Sequence, residues 1–266
     1  MSNNNPVVAR WINELKEKGY EPPVINGWSR FRIKYLSRTW RRILKECGLK
    51  RNSGMKALEF GVGGGEQLVP LYANGWNCVG IDCSEDVIER GTQYVKSVNT
   101  LFPDCGSIEF QTMDFLDFNQ KNDLFDITFQ FGVLEHFLNE DERKKYLRKM
   151  FDCTRPGGFI ISCVPNGRHY YRTEQRSKNL GGYNIPEIDY SADLMKREFE
   201  QCGASAIKVL PLNLFGYLNI IPAPFPVNRL LSVIYVIFQF PLFEYLPFTF
   251  REKHAYLLAA IAQKPI

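Results

Sequence analysis

A short apolar segment that runs directly into a glycine-rich turn constrains the fold of this chain more than any other feature. Residues 57–60, Ala-Leu-Glu-Phe, are typical of a buried strand, and residues 61–65 read Gly-Val-Gly-Gly-Gly. Glycine allows positive φ angles and lets a ligand approach the backbone closely. A helix is predicted to follow over residues 66–72. This order predicts an open α/β sheet with a ligand site at the carboxyl ends of its strands.

A second unit of the same kind follows. Residues 78–82, Cys-Val-Gly-Ile-Asp, predict another apolar strand that ends in a carboxylate. An acid about 20 positions after the first glycines binds the ribose in nucleotide sites of this kind. Asp82 is therefore a candidate ribose ligand, and its neighbour Cys83 joins the candidate cofactor-binding residues. Ser84 is predicted to cap the helix that comes next, and Ser191 is predicted to cap a later helix that ends at Gln201.

The acid that precedes the first turn distinguishes between two classes of cofactor. A dinucleotide carries a pyrophosphate, which requires the N–H groups and positive dipole of a helix N-terminus. Glu59 would repel such a phosphate, whereas it would attract the sulfonium and ammonium groups of S-adenosylmethionine. Glu59 together with Gly61, Gly63 and Gly65 therefore favours S-adenosylmethionine.

At these residues the chain resembles the class I, Rossmann-like, S-adenosylmethionine-dependent methyltransferases, whose first motif reads acid-x-Gly-x-Gly-x-Gly. The resemblance spans residues 57–165 and includes a Pro-Gly-Gly turn at residues 156–158. It implies that S-adenosyl-L-methionine is the cofactor. It also implies that Asp114 hydrogen-bonds the adenine amino group and that Phe115 packs against the adenine ring. Gln130, in the fourth predicted strand, completes the candidate cofactor-binding residues.

The resemblance also implies the fold class, an α/β protein with a seven-stranded, mostly parallel, doubly wound sheet. Residues 1–55 are predicted to form a helical N-terminal extension with a first helix at residues 6–18, and residues 56–266 the methyltransferase domain. Strands six and seven are expected at residues 206–212 and 254–263. The family has a short hairpin between them, so we interpret the apolar residues 214–251 as a hydrophobic insertion.

Methyl transfer needs the acceptor atom held in line with the donor, and a base only where the acceptor must lose a proton. His136, just after the fourth predicted strand, is the first candidate base because its imidazole titrates near neutral pH. An alternative, in which His136 only orients its loop, stays open. His169 and Tyr170 are further candidates, since they lie in a polar, irregular segment expected to overhang the cofactor. This segment covers residues 166–183 and includes a glycine pair at residues 181–182. The three histidines have no metal-ligand spacing, so no metal site is expected.

The acceptor is less constrained than the cofactor. Residues 129–132 do not match the Asn/Asp-Pro-Pro-Tyr/Phe signature of nucleic-acid amino-methyltransferases, and the net charge of +4 is mild. Both observations disfavour a nucleic-acid acceptor. We expect a small-molecule or lipid-linked acceptor, with O-methylation favoured. Two alternatives from other classes stay open: an NAD(P)-dependent oxidoreductase, and a methyltransferase-like module that binds without catalysis.

Two regions outside these motifs bear on partners and location. The basic helical region at residues 26–47 is expected either to pack an apolar stripe on the sheet or to contact anionic headgroups. Residues 214–251 are open to four interpretations: a lid over the substrate, a peripheral membrane contact, a homodimer face or core packing. Seven cysteines without a Cys-x-x-Cys pair predict reduced thiols. A cytoplasmic protein, membrane-associated if residues 214–251 contact lipid, is therefore expected.

Overall fold

The computed structural model describes most of the chain, with gaps. The described residues are 9–13, 17, 27–49, 54–102, 105–119, 124–177, 185–219, 221, 223–224, 226–237 and 241–266. The predicted first helix, residues 6–18, is described only at residues 9–13 and 17, which are helical. The rest of that prediction, and the glycine pair at residues 181–182, lie outside the described residues.

Within the described residues, seven strands form one sheet. They are β1 (Lys56–Phe60), β2 (Asn77–Asp82), β3 (Ser107–Thr112), β4 (Phe125–Phe131), β5 (Thr154–Pro165), β6 (Ser205–Leu214) and β7 (Ala255–Gln263). Their order across the sheet is β3-β2-β1-β4-β5-β7-β6. This order reverses between β1 and β4, and such a switch point is where open α/β sheets bind ligands.

The direction of β7 corrects the expected fold class. Strands β1 to β5 pair in parallel, but β7 lies antiparallel to both β5 and β6. The sheet is therefore mixed, and the prediction of a mostly parallel sheet was wrong. Apolar patterning locates a buried strand, but it does not determine the direction in which that strand enters the sheet.

Besides the helical residues 9–13 and 17, one described helix precedes β1 and the others lie between strands. They are α1 (Gly27–Glu46), α2 (Val69–Tyr72), α3 (Glu85–Asn99), α4 (Glu140–Cys153), α5 (Tyr170–Ser177), α6 (Ala192–Gln201), α7 (Val227–Ile237) and α8 (Phe248–His254). Short 3₁₀ turns occur at Phe115–Asp117, Leu134–His136, Gly216–Asn219 and Pro241–Tyr245. No described helix combines the length and apolar character needed to cross a bilayer.

The strands contribute side chains to two apolar clusters. Ile160 belongs to a cluster with residues of α4 and α6, whereas its neighbour Ile161 packs with α1 and α2. Successive strand residues point to opposite faces, so the sheet is covered on both sides. Helix α1 packs through Trp40, whose ring lies 4.7 Å from that of Phe129. The expected apolar stripe of this basic helix therefore faces the sheet.

Two predicted helix caps are confirmed. Ser84 Oγ accepts a hydrogen bond from the backbone N–H of Val87 at 3.4 Å, and Ser191 Oγ accepts one from Leu194 at 3.2 Å. Each bond satisfies a backbone donor that has no partner within the first helical turn. The cap of α3 matters for the site, because it fixes the point where β2 ends.

Candidate methyl-donor site

The glycine turn after β1 closes tightly on its surroundings. The backbone N–H of Gly61 donates to Ile81 O at 2.9 Å, and Gly61 and Gly63 have φ angles of +70° and +52°. A Cβ at Gly61 would lie 2.5 Å from Val133 Cγ2. Residue 61 therefore needs glycine for two reasons, its left-handed backbone and the close approach of the segment after β4.

Asp82 connects the two halves of the site. Its carboxylate accepts hydrogen bonds from the backbone N–H of Gly63 at 3.3 Å and of Ser84 at 3.1 Å. Burial raises the Asp82 pKa from its usual value, and these two backbone hydrogen bonds oppose that rise. The carboxylate thus holds the glycine turn against the end of β2 and stays at the edge of the cavity.

A cavity lies at the carboxyl ends of the strands, where the switch point of the sheet predicts it. Among the predicted site residues, the cavity is lined by Gly61, Gly63, Asp82, Cys83, Asp114, Phe115 and His136. The structure therefore brings together the glycine turn, the acid after β2, the acid after β3 and the histidine after β4. Most of the remaining lining is apolar and includes Val87, Phe131 and Tyr146.

The residues after β3 form one wall of this cavity. Asp114 Oδ1 accepts from the backbone N–H of Leu116 at 2.9 Å and so caps the turn at Phe115–Asp117. The Phe115 ring packs edge-to-face on Tyr146 at 5.0 Å and on Phe60 at 5.6 Å. These contacts fix an aromatic side chain and a carboxylate side by side, which suits recognition of a purine base.

Glu59 lies behind the cavity rather than in its wall. Its side chain is 1% exposed, and Oε2 has no hydrogen-bond partner among the described residues. Burial, and then the negative charges of Asp82 and Glu66, raise the pKa of Glu59 well above its usual range. A cation bound in the cavity would oppose this rise in the pKa. Because Glu59 does not line the cavity, its charge would attract such a cation without direct contact.

Two further predicted cofactor residues also lie outside the cavity wall. Gly65 has a φ of +76°, and a Cβ there would lie 2.9 Å from Phe110 Cζ, so it allows the turn to pack on β3. Gln130 Oε1 accepts from the backbone N–H of Val133 at 2.8 Å, and its Nε2 donates to Ser162 Oγ at 2.5 Å. Gln130 therefore anchors the segment that carries His136.

His136 faces the cavity from a short 3₁₀ turn. Its side chain is buried, and the indole ring of Trp11 packs edge-to-face on it at 4.9 Å. Burial lowers the His136 pKa to about 4, so the imidazole is neutral at physiological pH. Its Nδ1 has no hydrogen-bond partner within the described structure and lies 3.9 Å from Glu187 Oε1.

The other two catalytic candidates do not line this cavity. His169 is buried beside Tyr217 and Tyr256, at ring distances of 5.1 Å and 5.9 Å. Tyr170 is 77% exposed. Residues 170–177 form helix α5 rather than the irregular segment expected from their polar composition. A helix of this length rotates neighbouring side chains to different faces, so His169 is buried while Tyr170 is not.

Sequence reasoning missed several residues around the site. Trp11 and Ile12, from the N-terminal helical residues, line the cavity, although no local signal places them there. Glu135 is 2% exposed, and burial raises its pKa to about 7. Its position beside His136 in a Leu-Glu-His triplet is the signal that was available. Arg172 forms an ion pair with Glu187 near this group.

No metal centre is found in the described part of the chain, because no group of three or more suitable side chains comes together there. Of the two carboxylates near the glycine turn, Glu59 is buried and Asp82 is partly exposed. The negative charge of Asp82 adds to the rise in the Glu59 pKa.

The chain belongs to the family described as "Methyltransferase domain", which matches residues 32–205. Its fold is that of the class I S-adenosylmethionine-dependent methyltransferases. A curated relative, the ubiquinone biosynthesis O-methyltransferase of Mesorhizobium japonicum, is 24% identical over 162 residues, covering 51% of this chain and 61% of the relative. The chain thus spans less than two thirds of that relative's length.

Solved structures share the fold at low sequence identity. A methyltransferase in complex with the Trm112 activator of Haloferax volcanii has a TM-score of 0.58 at 16% identity, covering 91% of this chain and 95% of that one. A methyltransferase of Archaeoglobus fulgidus has a TM-score of 0.56 at 15% identity, with 96% and 99% covered. The Haemonchus contortus phosphoethanolamine N-methyltransferase 2, solved with S-adenosyl-L-methionine, scores 0.54 at 15% identity, with 85% and 52% covered.

The residues present fit this cofactor. Gly61 leaves room that a Cβ would fill, Asp82 presents a carboxylate at the distance along the chain expected for a ribose ligand, and Glu59 holds an unpartnered buried oxygen. Asp114 and Phe115 lie together on the wall expected for adenine. The family match favours a methyltransferase over the NAD(P)-dependent oxidoreductase that the sequence left open, and it does not test the non-catalytic module.

Proposed function

We propose that this enzyme transfers the methyl group to a small-molecule or lipid-linked acceptor, with an acceptor oxygen favoured. The observation that carries the proposal is the single cavity shared by the glycine turn, Asp82 and His136. Its largely apolar lining suits an apolar acceptor rather than a charged polymer. The name of the Mesorhizobium relative, an O-methyltransferase, supports the preference for oxygen.

The proposed mechanism assigns a role to each wall of the cavity. When bound, S-adenosylmethionine supplies an electrophilic methyl group on a sulfonium. Asp82 would accept hydrogen bonds from the ribose hydroxyls, while Asp114 and Phe115 would hold the adenine. These contacts would fix the donor, so the acceptor would need only to be placed in line with it. The apolar side chains exclude water from the acceptor.

His136 is proposed to accept the proton of an acceptor hydroxyl. Because burial lowers its pKa to about 4, the imidazole is neutral and has a lone pair available at physiological pH. It lies on the segment after β4 and lines the same cavity as the glycine turn. Trp11 fixes the ring plane by its edge-to-face contact, which leaves His136 little freedom to rotate away.

Replacing His136 with alanine is expected to lower kcat by roughly a hundredfold or more, the usual contribution of a positioned base. Donor affinity should change by less than about twofold, because the ribose and adenine contacts stay in place. Steady-state kinetic assays measure kcat, and calorimetry with the donor measures its affinity. His254→Ala is the matched control, because this histidine does not line the cavity. Its ring stacks on that of Phe215 at 5.0 Å. Equal turnover in both variants would remove His136 as the base.

The pH profile distinguishes His136 from its neighbour Glu135. A base must be deprotonated, so its rate falls as pH drops through its pKa. With His136 as base, kcat should stay level down to about pH 5 and fall near its pKa of about 4. With Glu135 as base, kcat would already fall below its pKa of about 7. The assignment of His136 would be contradicted if kcat of the wild type fell near neutral pH and this fall were absent in Glu135→Gln.

The acceptor class is tested with labelled donor and fractionated cell extract, with and without the lipid fraction. Label in an organic-soluble or small-molecule fraction is expected. Label only in polymeric nucleic acid or protein would overturn the proposed acceptor. The His136→Ala protein serves as the control, because it should still bind the labelled donor. It therefore shows how much label is retained by donor binding without methyl transfer.

The remaining proposals concern organisation and location. We propose that residues 1–55 act as an extension of the domain at 56–266, because Trp11 and Ile12 reach the cavity. Residues 214–251 are proposed as an insertion that contacts either a membrane or a second copy of the chain. All seven cysteines lie in described residues and are unpaired, which supports a cytoplasmic location, where thiols stay reduced.

A further inference from the structure

Helix α7 leaves most of its apolar surface uncovered. Its exposed side chains recur at helical spacing: Val227 (45%), Leu230 (59%), Val233 (57%) and Ile237 (48%). These four residues form a continuous stripe along the helix. A soluble monomer rarely leaves such a stripe facing water, so the stripe indicates a contact with something else.

The orientation of α7 is fixed by its opposite face. Tyr235 is 8% exposed and its hydroxyl donates to Asn213 Oδ1. The hydroxyl of Tyr35 in α1 donates to the same oxygen at 3.2 Å, and the two tyrosine rings lie 6.0 Å apart. The helix is therefore anchored on the body of the protein, and its exposed stripe is not the result of a loose attachment.

The elements that follow α7 also carry exposed apolar side chains. Leu242 and Tyr245, in the turn at 241–245, are 72% and 87% exposed. Phe248 and Phe250, in α8, are 40% and 39% exposed. We call these four residues, together with the stripe of α7, the apolar face.

A cavity with excess positive charge adjoins the apolar face. Arg38 and Arg42 of α1 and Arg251 of α8 line it with one acid, Glu244, whose Oε1 lies 3.8 Å from Arg42 Nε. Three guanidinium groups and one carboxylate leave a local excess of two positive charges. Burial is the main cause that lowers the Arg42 pKa; the like charge of Arg251 adds to this effect, while Glu244 and Glu46 oppose it.

The cavity and the apolar face are built from the same elements. Glu244 and Arg251 line the cavity, while their neighbours Tyr245 and Phe250 are exposed. Asn213, which anchors α7, also lines the cavity. Apolar side chains that project beside a basic recess are complementary to a bilayer with anionic phosphates above an acyl layer.

We propose that the apolar face inserts into the surface of an anionic phospholipid bilayer and that the arginine cavity receives a lipid phosphate. Helix α7 has 11 residues, about 16 Å at the usual rise, so it would lie in the interface rather than span it. The proposal goes beyond methyl transfer, because membrane binding requires neither the donor nor the acceptor.

Co-sedimentation with vesicles tests the proposal. We expect the protein to bind vesicles of phosphatidylcholine with about one third phosphatidylglycerol, and to bind pure phosphatidylcholine at least tenfold more weakly. Salt at about 0.5 M should weaken binding to the anionic vesicles, because it screens the arginines. Equal binding to both vesicle types, or binding to neither, would overturn the proposal.

Variants separate the two parts of the surface. Leu230→Asp with Val233→Asp should abolish vesicle binding, and Leu242→Asp should weaken it independently. Arg38→Glu should reduce binding roughly tenfold or more, since it reverses one charge near the surface. Leu138→Asp and Lys96→Glu are matched controls, because both residues are exposed outside the apolar face. Circular dichroism checks that each variant is folded. Controls that lose binding as strongly as these variants would overturn the proposal.

The same experiments would also reveal a different occupant of the apolar face or of the arginine cavity. A dimer in analytical ultracentrifugation that is lost in the Leu230→Asp, Val233→Asp variant, with no vesicle binding, would assign the face to a second copy. Thermal stabilisation by inorganic phosphate that depends on Arg38, again without vesicle binding, would assign the cavity to a soluble anion. Either result would overturn the membrane proposal and leave the proposed methyl transfer untouched.

Discussion

Replacing Arg143 with methionine is expected to lower the free energy of unfolding by about 3–5 kcal/mol. Arg143 is 5% exposed and its Nε donates to Glu198 Oε1 at 2.8 Å. Glu198 is 2% exposed and also accepts from the hydroxyl of Tyr190 at 2.8 Å. The variant leaves this carboxylate buried without its counter-charge. Chemical denaturation of both proteins measures the loss.

A surface ion pair in the same helix provides the control. Arg148 Nε lies 3.0 Å from Asp152 Oδ1, with side chains 59% and 54% exposed. Arg148→Met should therefore cost less than about 1 kcal/mol. Adding Glu198→Leu to the Arg143 variant should restore part of the lost stability, because it removes the uncompensated charge. Similar losses for Arg143→Met and Arg148→Met would show that burial of the pair is not what stabilises the fold.

The same arginine connects stability to the site. Arg143 Nη1 donates to the carbonyl oxygens of Phe137 and Leu138 at 2.8 Å and 3.0 Å. These residues directly follow His136. The carbonyl groups at the end of this turn have no hydrogen-bond donor within a helix, so the guanidinium group supplies one. A buried ion pair thus fixes the end of the segment that faces the cavity.

The parts of the fold that were predicted correctly depend on local signals. Strands β1, β2 and β4 are short apolar runs bounded by turns, and their predicted limits differ from the observed ones by one residue at most. The caps at Ser84 and Ser191 depend on one hydroxyl and the next few backbone N–H groups. The glycine turn and Asp82 lie close together because parallel strands end at one edge of the sheet.

The parts that were missed depend on distant contacts. The direction of β7 is set by pairing with β5 and β6, which patterning within β7 does not encode. Trp11 reaches His136 across 125 positions of sequence. Both ends of the Gln130 amide bond to the protein, and Glu59 lies outside the lining of the cavity. Their roles in cofactor binding stay predictions. Each outcome is set by packing, not by spacing.

Replacing Asp82 with alanine is expected to weaken binding of S-adenosylmethionine by about 1.5–3 kcal/mol, roughly 10- to 150-fold. The variant removes the proposed acceptor of the ribose hydrogen bonds. It also removes the acceptor of the Gly63 and Ser84 backbone N–H groups, so the glycine turn loses its tie to β2. Isothermal titration calorimetry with the donor and with its demethylated product measures the loss.

Two further variants divide this effect between its causes. Asp82→Asn keeps one acceptor oxygen for the backbone, so it should keep the turn in place while losing the charge and one ribose bond. Its affinity should lie between those of wild type and Asp82→Ala. Asp86→Ala is the control, because this carboxylate is exposed in the first turn of α3 and should leave affinity unchanged. If Asp82→Ala binds the donor as tightly as Asp86→Ala, the ribose is not held by the acid after β2, and the orientation of the donor in the cavity has to be reversed.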